Sequence, residues 1–171
     1  MLLMNTFNRS VWYWLGLAVL GVGLEAGALY YQYVLDYPPC VLCIHVRIWV
    51  AALVLVGFVG VATRTVTYAR IATNLATLCC SIGLAERSWQ TLAVERGWGE
   101  GSCDMESGLS SWFALDQWIP WLFEVQTPCG YTPEILLGIT MAESLIIVSV
   151  MLLLVTAAMS VASAYSALGA R

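Results

Sequence analysis

Four long apolar runs divide this chain, at about residues 11–30, 43–62, 71–87 and 135–158. A bilayer core about 30 Å thick takes about 20 helical residues at roughly 1.5 Å each. Each run therefore predicts a membrane span. The third is the most dilute, because Asn74, Thr77 and Ser81 interrupt it and Arg87 closes it. Composition agrees: 60% of the 171 residues are hydrophobic and 11% charged, against about 25% charged in soluble domains. So many span-length runs in so short a chain set buried soluble helices aside. The reading is an all-α integral membrane four-helix bundle, one membrane domain over 1–171. A net charge of −4 and the lack of any Lys exclude a nucleic-acid binder.

Arginine placement orients the spans. Arg9 precedes the first, Arg64 and Arg70 lie in the second-to-third connection, and Arg171 ends the chain. The connections 31–42 and 88–134 carry one Arg between them, Arg96, beside many acids. Positive residues stay inside, so both termini are expected in the cytoplasm and both those loops outside. Ala26-Gly27-Ala28 looks like a leader cleavage site, but the run before it is too long and contains Glu25, so the first span is expected to be retained.

On this topology Cys40, Cys103 and Cys129 lie in outer loops, and Cys43 at the outer mouth of the second span. Cys79 and Cys80 fall mid-span in the third and read as apolar filler. The outer space is oxidising, and four cysteines there permit three disulfide pairings. The loop 88–134 is too long for a mere connection. Within "WFALDQWIPWLF" (112–123), Trp112, Leu115, Trp118, Ile119 and Leu122 recur at helical spacing. That predicts a short amphipathic helix, lying in the membrane interface or packed onto the bundle, ended or kinked at Pro120.

The stretch "YPPCVLCIHVR" (37–47) carries the chemistry. Pro38 and Pro39 suit an extended entry followed by a helix start. Cys43 then sits in the first turn, where free N–H groups and the helix dipole favour a thiolate. Arg47, one turn on, lies on the same face about 6 Å deeper. It could stabilise that thiolate, hydrogen-bond a ligand oxygen, or snorkel to the headgroups. A CxxC disulfide closes too short a loop to be a useful staple. Cys40, Cys43, Cys103 and Cys129 have the ligand count of a zinc site, but an oxidising compartment disfavours free thiols. A redox pair needs an acceptor, and without a CxxCH or Gly-rich dinucleotide turn, the hydrophobic acceptor at hand in a membrane is quinone. Glu25 and Glu143, placed roughly 8 and 12 Å deep by helical rise, are intramembrane acids and hence site candidates. Glu25 is expected to help hold Arg47 or the thiol end of the bundle; interhelical bonding suits Glu143 at least as well. His45 points to another helix face than Cys43, which favours a packing or interface role.

"PPCVLCIHVR" resembles the DsbB family, membrane enzymes that reoxidise the periplasmic thiol oxidase DsbA. "GLEAGALYYQ", including Glu25, resembles its first span. "SCDMESGLSSWFALDQWIPWLF" followed by Cys129 resembles its second periplasmic loop, and "PEILLGI" the start of its last span. The resemblance runs from about residue 15 to 155 in one order. It implies a bacterial inner-membrane protein with two redox pairs, Cys40–Cys43 and Cys103–Cys129. Reduced DsbA would attack at Cys103, interloop exchange would involve Cys40 and Cys129, and Cys43 would reduce a quinone, ubiquinone or menaquinone, with Arg47 at its headgroup. No metal is implied. The family pattern carries a His after the third span where this chain has "LAVERGW", with Glu95 and Arg96. Beyond Arg47, the resemblance therefore carries over no quinone contact. Two other readings differ in kind: the vitamin K epoxide reductase family, whose CxxC lies on the last span, and a metal-binding or disulfide-stapled structural membrane protein.

Overall fold

The structure is a computed structural model that describes residues 2–98, 106–130, 132–136 and 138–168. Helices α1 (Leu2–Arg9), α2 (Val11–Tyr33), α3 (Val41–Thr63) and α4 (Thr67–Glu95) follow one another closely. A 3₁₀ turn (Ser111–Phe113) and two single-turn helices, α5 (Leu115–Trp118) and α6 (Pro120–Phe123), come next. A short antiparallel pair, β1 (Glu134–Leu136) and β2 (Ile139–Thr140), precedes the last helix, α7 (Met141–Leu168). Helix α2 packs on α3, α3 on α4 and α4 on α7, while α1 leans on α7. Ser10 caps α2 by accepting from the Trp12 amide, and Cys40 caps α3.

Among the described residues, three helices are long and apolar enough to cross a membrane: α2, α3 and α7. Helix α4 is as long but less apolar, and most of the polar residues along its middle turn inward, while Tyr68 and Glu86 face outward. Arg70, Thr73, Asn74, Thr77, Ser81 and Ser88 are buried, whereas Leu75 and Ile82 are exposed. The buried polar groups meet across the bundle. Asn74 Nδ2 donates to Asn8 Oδ1 at 3.1 Å, Thr156 Oγ1 to Ser81 Oγ at 3.1 Å and Ser160 Oγ to the Asn74 carbonyl at 3.2 Å. The outward faces of the other helices carry Val19, Leu55, Phe58 and Leu154. Such a surface suits hydrocarbon and would aggregate in water.

Several interlocks set how closely the helices approach. The core joins Trp14 and Leu17 of α2, Val46, Val50 and Leu53 of α3, Leu84 of α4 and Leu152 of α7. Gly60 lies flat against the Trp14 indole, and a Cβ there would sit inside the ring's van der Waals surface. Trp14 cannot retreat easily, because it is fully buried and its indole N–H donates to the Asn8 carbonyl at 3.1 Å. Gly60→Ala is therefore expected to destabilise the protein by about 1–3 kcal/mol from overpacking, despite the better helix propensity of Ala. The check is the thermal midpoint in detergent; an unchanged midpoint would refute the close contact.

Two segments differ from the sequence expectation. Residues 134–136 and 139–140 form β1 and β2 rather than the start of the last helix, with Gly138 at φ 81° between them. The interfacial segment is three separate helical turns rather than one helix. Pro120 lacks an N–H, so it starts α6 at its first position instead of continuing α5.

Candidate redox site

The site is built at the N-terminal end of α3. Pro39 holds the chain extended, and Cys40 takes the N-cap position with φ −87° and ψ 172°. Helix α3 begins two residues before Cys43, so the free first-turn amide that the sequence reading gave to Cys43 goes to its partner. Cys43 N–H points at Cys40 Sγ, 3.4 Å away. The two sulfurs are free thiols 3.0 Å apart, one hydrogen-bonded to the other. That bond from Cys43, helped by backbone amides and opposed by burial, lowers the Cys40 thiol from its usual 9 to about 7. Alkylation of Cys40 in the reduced protein, followed by mass spectrometry of its peptide, is expected to rise through about pH 7. A midpoint near pH 9 would remove the hydrogen bond from the account.

Arg47 is buried and does not snorkel. Its Nη1 donates to Gln32 Oε1 at 2.6 Å and to the Leu122 carbonyl at 3.0 Å, and its Nη2 donates to the Ala28 carbonyl at 3.1 Å. Three protein oxygens thus hold one guanidinium, leaving part of its five-donor fork for another acceptor. Both carboxylate oxygens of Glu25 are buried and find no hydrogen-bond partner among the described residues. Glu25 therefore does not hold Arg47 by a direct bond. The two meet instead as walls of one cavity.

That cavity measures about 560 Å³ and opens beside the thiols. Cys40, Cys43, Arg47 and Glu25 line it together with Leu24, Val46, Val50, Ile135 and Leu145. A quinone needs an apolar slot for ring and tail, donors for its carbonyl oxygens and an adjoining reductant. The Arg47 fork, the unpartnered Glu25 carboxyl and the dithiol meet those needs, and the volume suits a small-molecule site.

Residues 107–127 are fastened to this end of α3. The amides of Gln126 and Thr127 donate to the Pro39 carbonyl at 3.0 and 3.3 Å. Tyr33 Oη donates to the Trp121 carbonyl at 2.6 Å. His45 Nε2 donates to the Ser107 carbonyl at 2.9 Å, and Ser107 Oγ to Asp116 Oδ2 at 2.7 Å. His45 thus ties α3 to residue 107. Cys129, in the same loop, is disulfide-bonded. Cys103 lies outside the described residues.

Other candidates sit elsewhere. Glu143 is in the first turn of α7, paired with Arg96 and accepting from the Thr140 amide at 3.0 Å. It is not deep in a span, because β1 and β2 occupy the residues expected to precede it in the helix. Cys80 is buried in the core, but Cys79 is exposed on the helix surface rather than buried as filler. The residue that sequence reasoning missed is Gln32. Its only prior signal was spacing: Glu25, Ala28 and Gln32 follow at i, i+3 and i+7 on one face of α2.

The family model described as "Disulfide bond formation protein DsbB" matches residues 9–159. The chain belongs to the DsbB family. Disulfide bond formation protein B 2 of Pseudomonas aeruginosa is 38% identical over 152 residues, covering 85% of this chain and 88% of the relative. Disulfide bond formation protein B of Shewanella denitrificans is 31% identical over 140 residues, covering 81% and 79%. The Psychromonas ingrahamii protein of that name is 26% identical over 151 residues, covering 85% and 79%. DsbB membership makes the chain an enzyme of disulfide bond formation, a protein thiol–quinone oxidoreductase. The metal-binding and stapled structural readings are set aside.

Proposed function

We propose that the chain reoxidises a periplasmic DsbA-type thiol oxidase by passing electrons through Cys103–Cys129 and then Cys40–Cys43 to a membrane quinone. In this reading a thiolate of reduced DsbA attacks Cys103, and Cys129 leaves as a thiolate. Cys129 attacks Cys40 of the first pair, releasing Cys43 as a thiolate at the cavity wall. The second DsbA thiolate then resolves the mixed disulfide at Cys103, and Cys103 in turn resolves the bond between Cys129 and Cys40. DsbA leaves oxidised, the outer pair is restored, and Cys40 and Cys43 hold the two electrons as a dithiol. Each step is thiolate attack on a disulfide. A bound quinone accepts two electrons and two protons, which are what the Cys40–Cys43 dithiol gives up as it closes. Arg47 holds the cavity's polar end, and Glu25 offers a carboxyl beside it. The observation that carries the reading is a dithiol 3.0 Å apart opening on an apolar cavity that also buries an arginine.

The same reading makes α4 the fourth span of a single membrane domain in the bacterial inner membrane. Its inward polar face supports that, since polar side chains in a bilayer turn to protein partners. Both termini are cytoplasmic and both outer loops periplasmic, on the strength of Arg9, Arg64, Arg70 and Arg171. The loop tryptophans, Trp112, Trp118 and Trp121, are exposed and suit the membrane interface.

The test uses purified protein in detergent, reduced DsbA and a soluble quinone, followed by quinone absorbance, with Cys103→Ser alongside. Quinone is expected to disappear one per DsbA dithiol oxidised, and not at all with Cys103→Ser. No loss with either a benzoquinone or a naphthoquinone, and cysteines that stay permanently paired or metal-bound, would overturn the proposal. Glu25→Gln is expected to slow quinone reduction, and unchanged turnover would remove Glu25 from the site.

A further inference from the structure

The Arg47 guanidinium is joined to the second outer loop twice. One link is direct, from Nη1 to the Leu122 carbonyl at 3.0 Å. The other runs through a buried amide. Gln32 Oε1 accepts from Arg47 at 2.6 Å, while Gln32 Nε2 donates to Gln126 Oε1 at 3.3 Å. Gln126 is exposed, three residues before Cys129, and its own amide donates to the Pro39 carbonyl next to Cys40. Neither Gln32 nor Gln126 lines the cavity. An amide side chain with its acceptor on a charged donor and its donor on a distant loop has both ends committed, so its rotamer is set by both partners at once.

We infer that Gln32 is a positioning residue that makes the placement of Arg47 in the cavity depend on how the second outer loop is seated. Gln126 and Thr127 are tied to the Pro39 carbonyl beside Cys40, so exchange of Cys129 with Cys40 acts directly on the segment that holds Gln126. A shift that draws Gln126 away releases the donor end of Gln32 and loosens its hold on Arg47. The affinity of the cavity for its acceptor would then follow the state of the loop. This inference rests on the quinone reading given above.

The test is a double-mutant cycle on quinone binding itself, with no turnover. Purified full-length protein in detergent is titrated with a short-tailed soluble benzoquinone and, separately, a naphthoquinone, and binding is read from tryptophan fluorescence. The variants are Gln126→Leu, Gln32→Leu and the double variant, each with its thermal midpoint. Gln126→Leu is an exposed loop change that should fold normally and is expected to weaken quinone binding about threefold, the size of one modest hydrogen bond. In the Gln32→Leu background the same change is expected to have no further effect, since the link is already cut. Effects that simply add, or a Gln126→Leu variant that binds quinone like the parent, would overturn the inference while leaving the quinone reading intact. A parent protein that binds neither quinone would overturn both.

Discussion

Cys43→Ser should stop quinone reduction, lowering turnover by at least about a thousandfold, as removal of one member of a nucleophilic unit does. The variant keeps Cys40, a thiol that ionises near neutrality in the wild-type pair. With Cys43 gone, Cys40 has no partner for disulfide closure. Its thiolate attacks the disulfide that holds Cys129, forms a Cys40–Cys129 bond and releases the thiol formerly joined to Cys129. The expected product is therefore a trapped interloop disulfide, found by peptide mapping without reductant. Trapping should speed up with pH as the Cys40 thiol ionises. A Cys43→Ser protein that turns over quinone normally would show that electrons leave from another group.

Arg47→Met is expected to raise the KM for quinone by about tenfold to a hundredfold, the range set by losing one hydrogen bond from a charged donor. Methionine keeps much of the length but none of the donors. It leaves Gln32 Oε1 and the Ala28 and Leu122 carbonyls without their shared donor. Buried acceptors left this way cost about 1–3 kcal/mol each, less where water reaches them, so the thermal midpoint should fall as well. Arg47→Lys should fall between the two, because one ammonium cannot span three acceptors and a ligand with the reach of a planar fork. Michaelis plots against quinone, with DsbA saturating, separate the binding defect from stability. A KM unchanged in Arg47→Met would remove Arg47 from the quinone end of the site.

Hydropathy made α2, α3 and α7 legible, because a bilayer demands length and apolarity whatever the packing. Helix α4 was legible only in part: its polar residues lower the average, and the sequence does not say that Arg70, Thr73, Asn74, Thr77, Ser81 and Ser88 turn inward. Residues 135–140 read as helix because "ILLGIT" is largely apolar, and a short apolar run does not distinguish strand from helix. At the site, Cys40, Cys43 and Arg47 could be grouped because spacings of three and four place residues on one helical face. Glu25 was suspected because an acid in a span demands a reason. Gln32 and the loop carbonyls had no such mark. Their meeting with Arg47 joins positions 15 and 75 residues apart, and only the folded chain sets those distances.

The three oxygens around Arg47 are not of one kind. Two belong to the main chain, at Ala28 and Leu122, and one to a side chain, Gln32. Every residue type carries a carbonyl, so mutational drift at positions 28 and 122 need not disturb the cradle if the backbone stays in place. Position 32 has no such licence, and position 126 is tied to it. Descendants of this protein can therefore rewrite most of the cradle's letters and keep its shape, while changes at 32 and 126 should arise together.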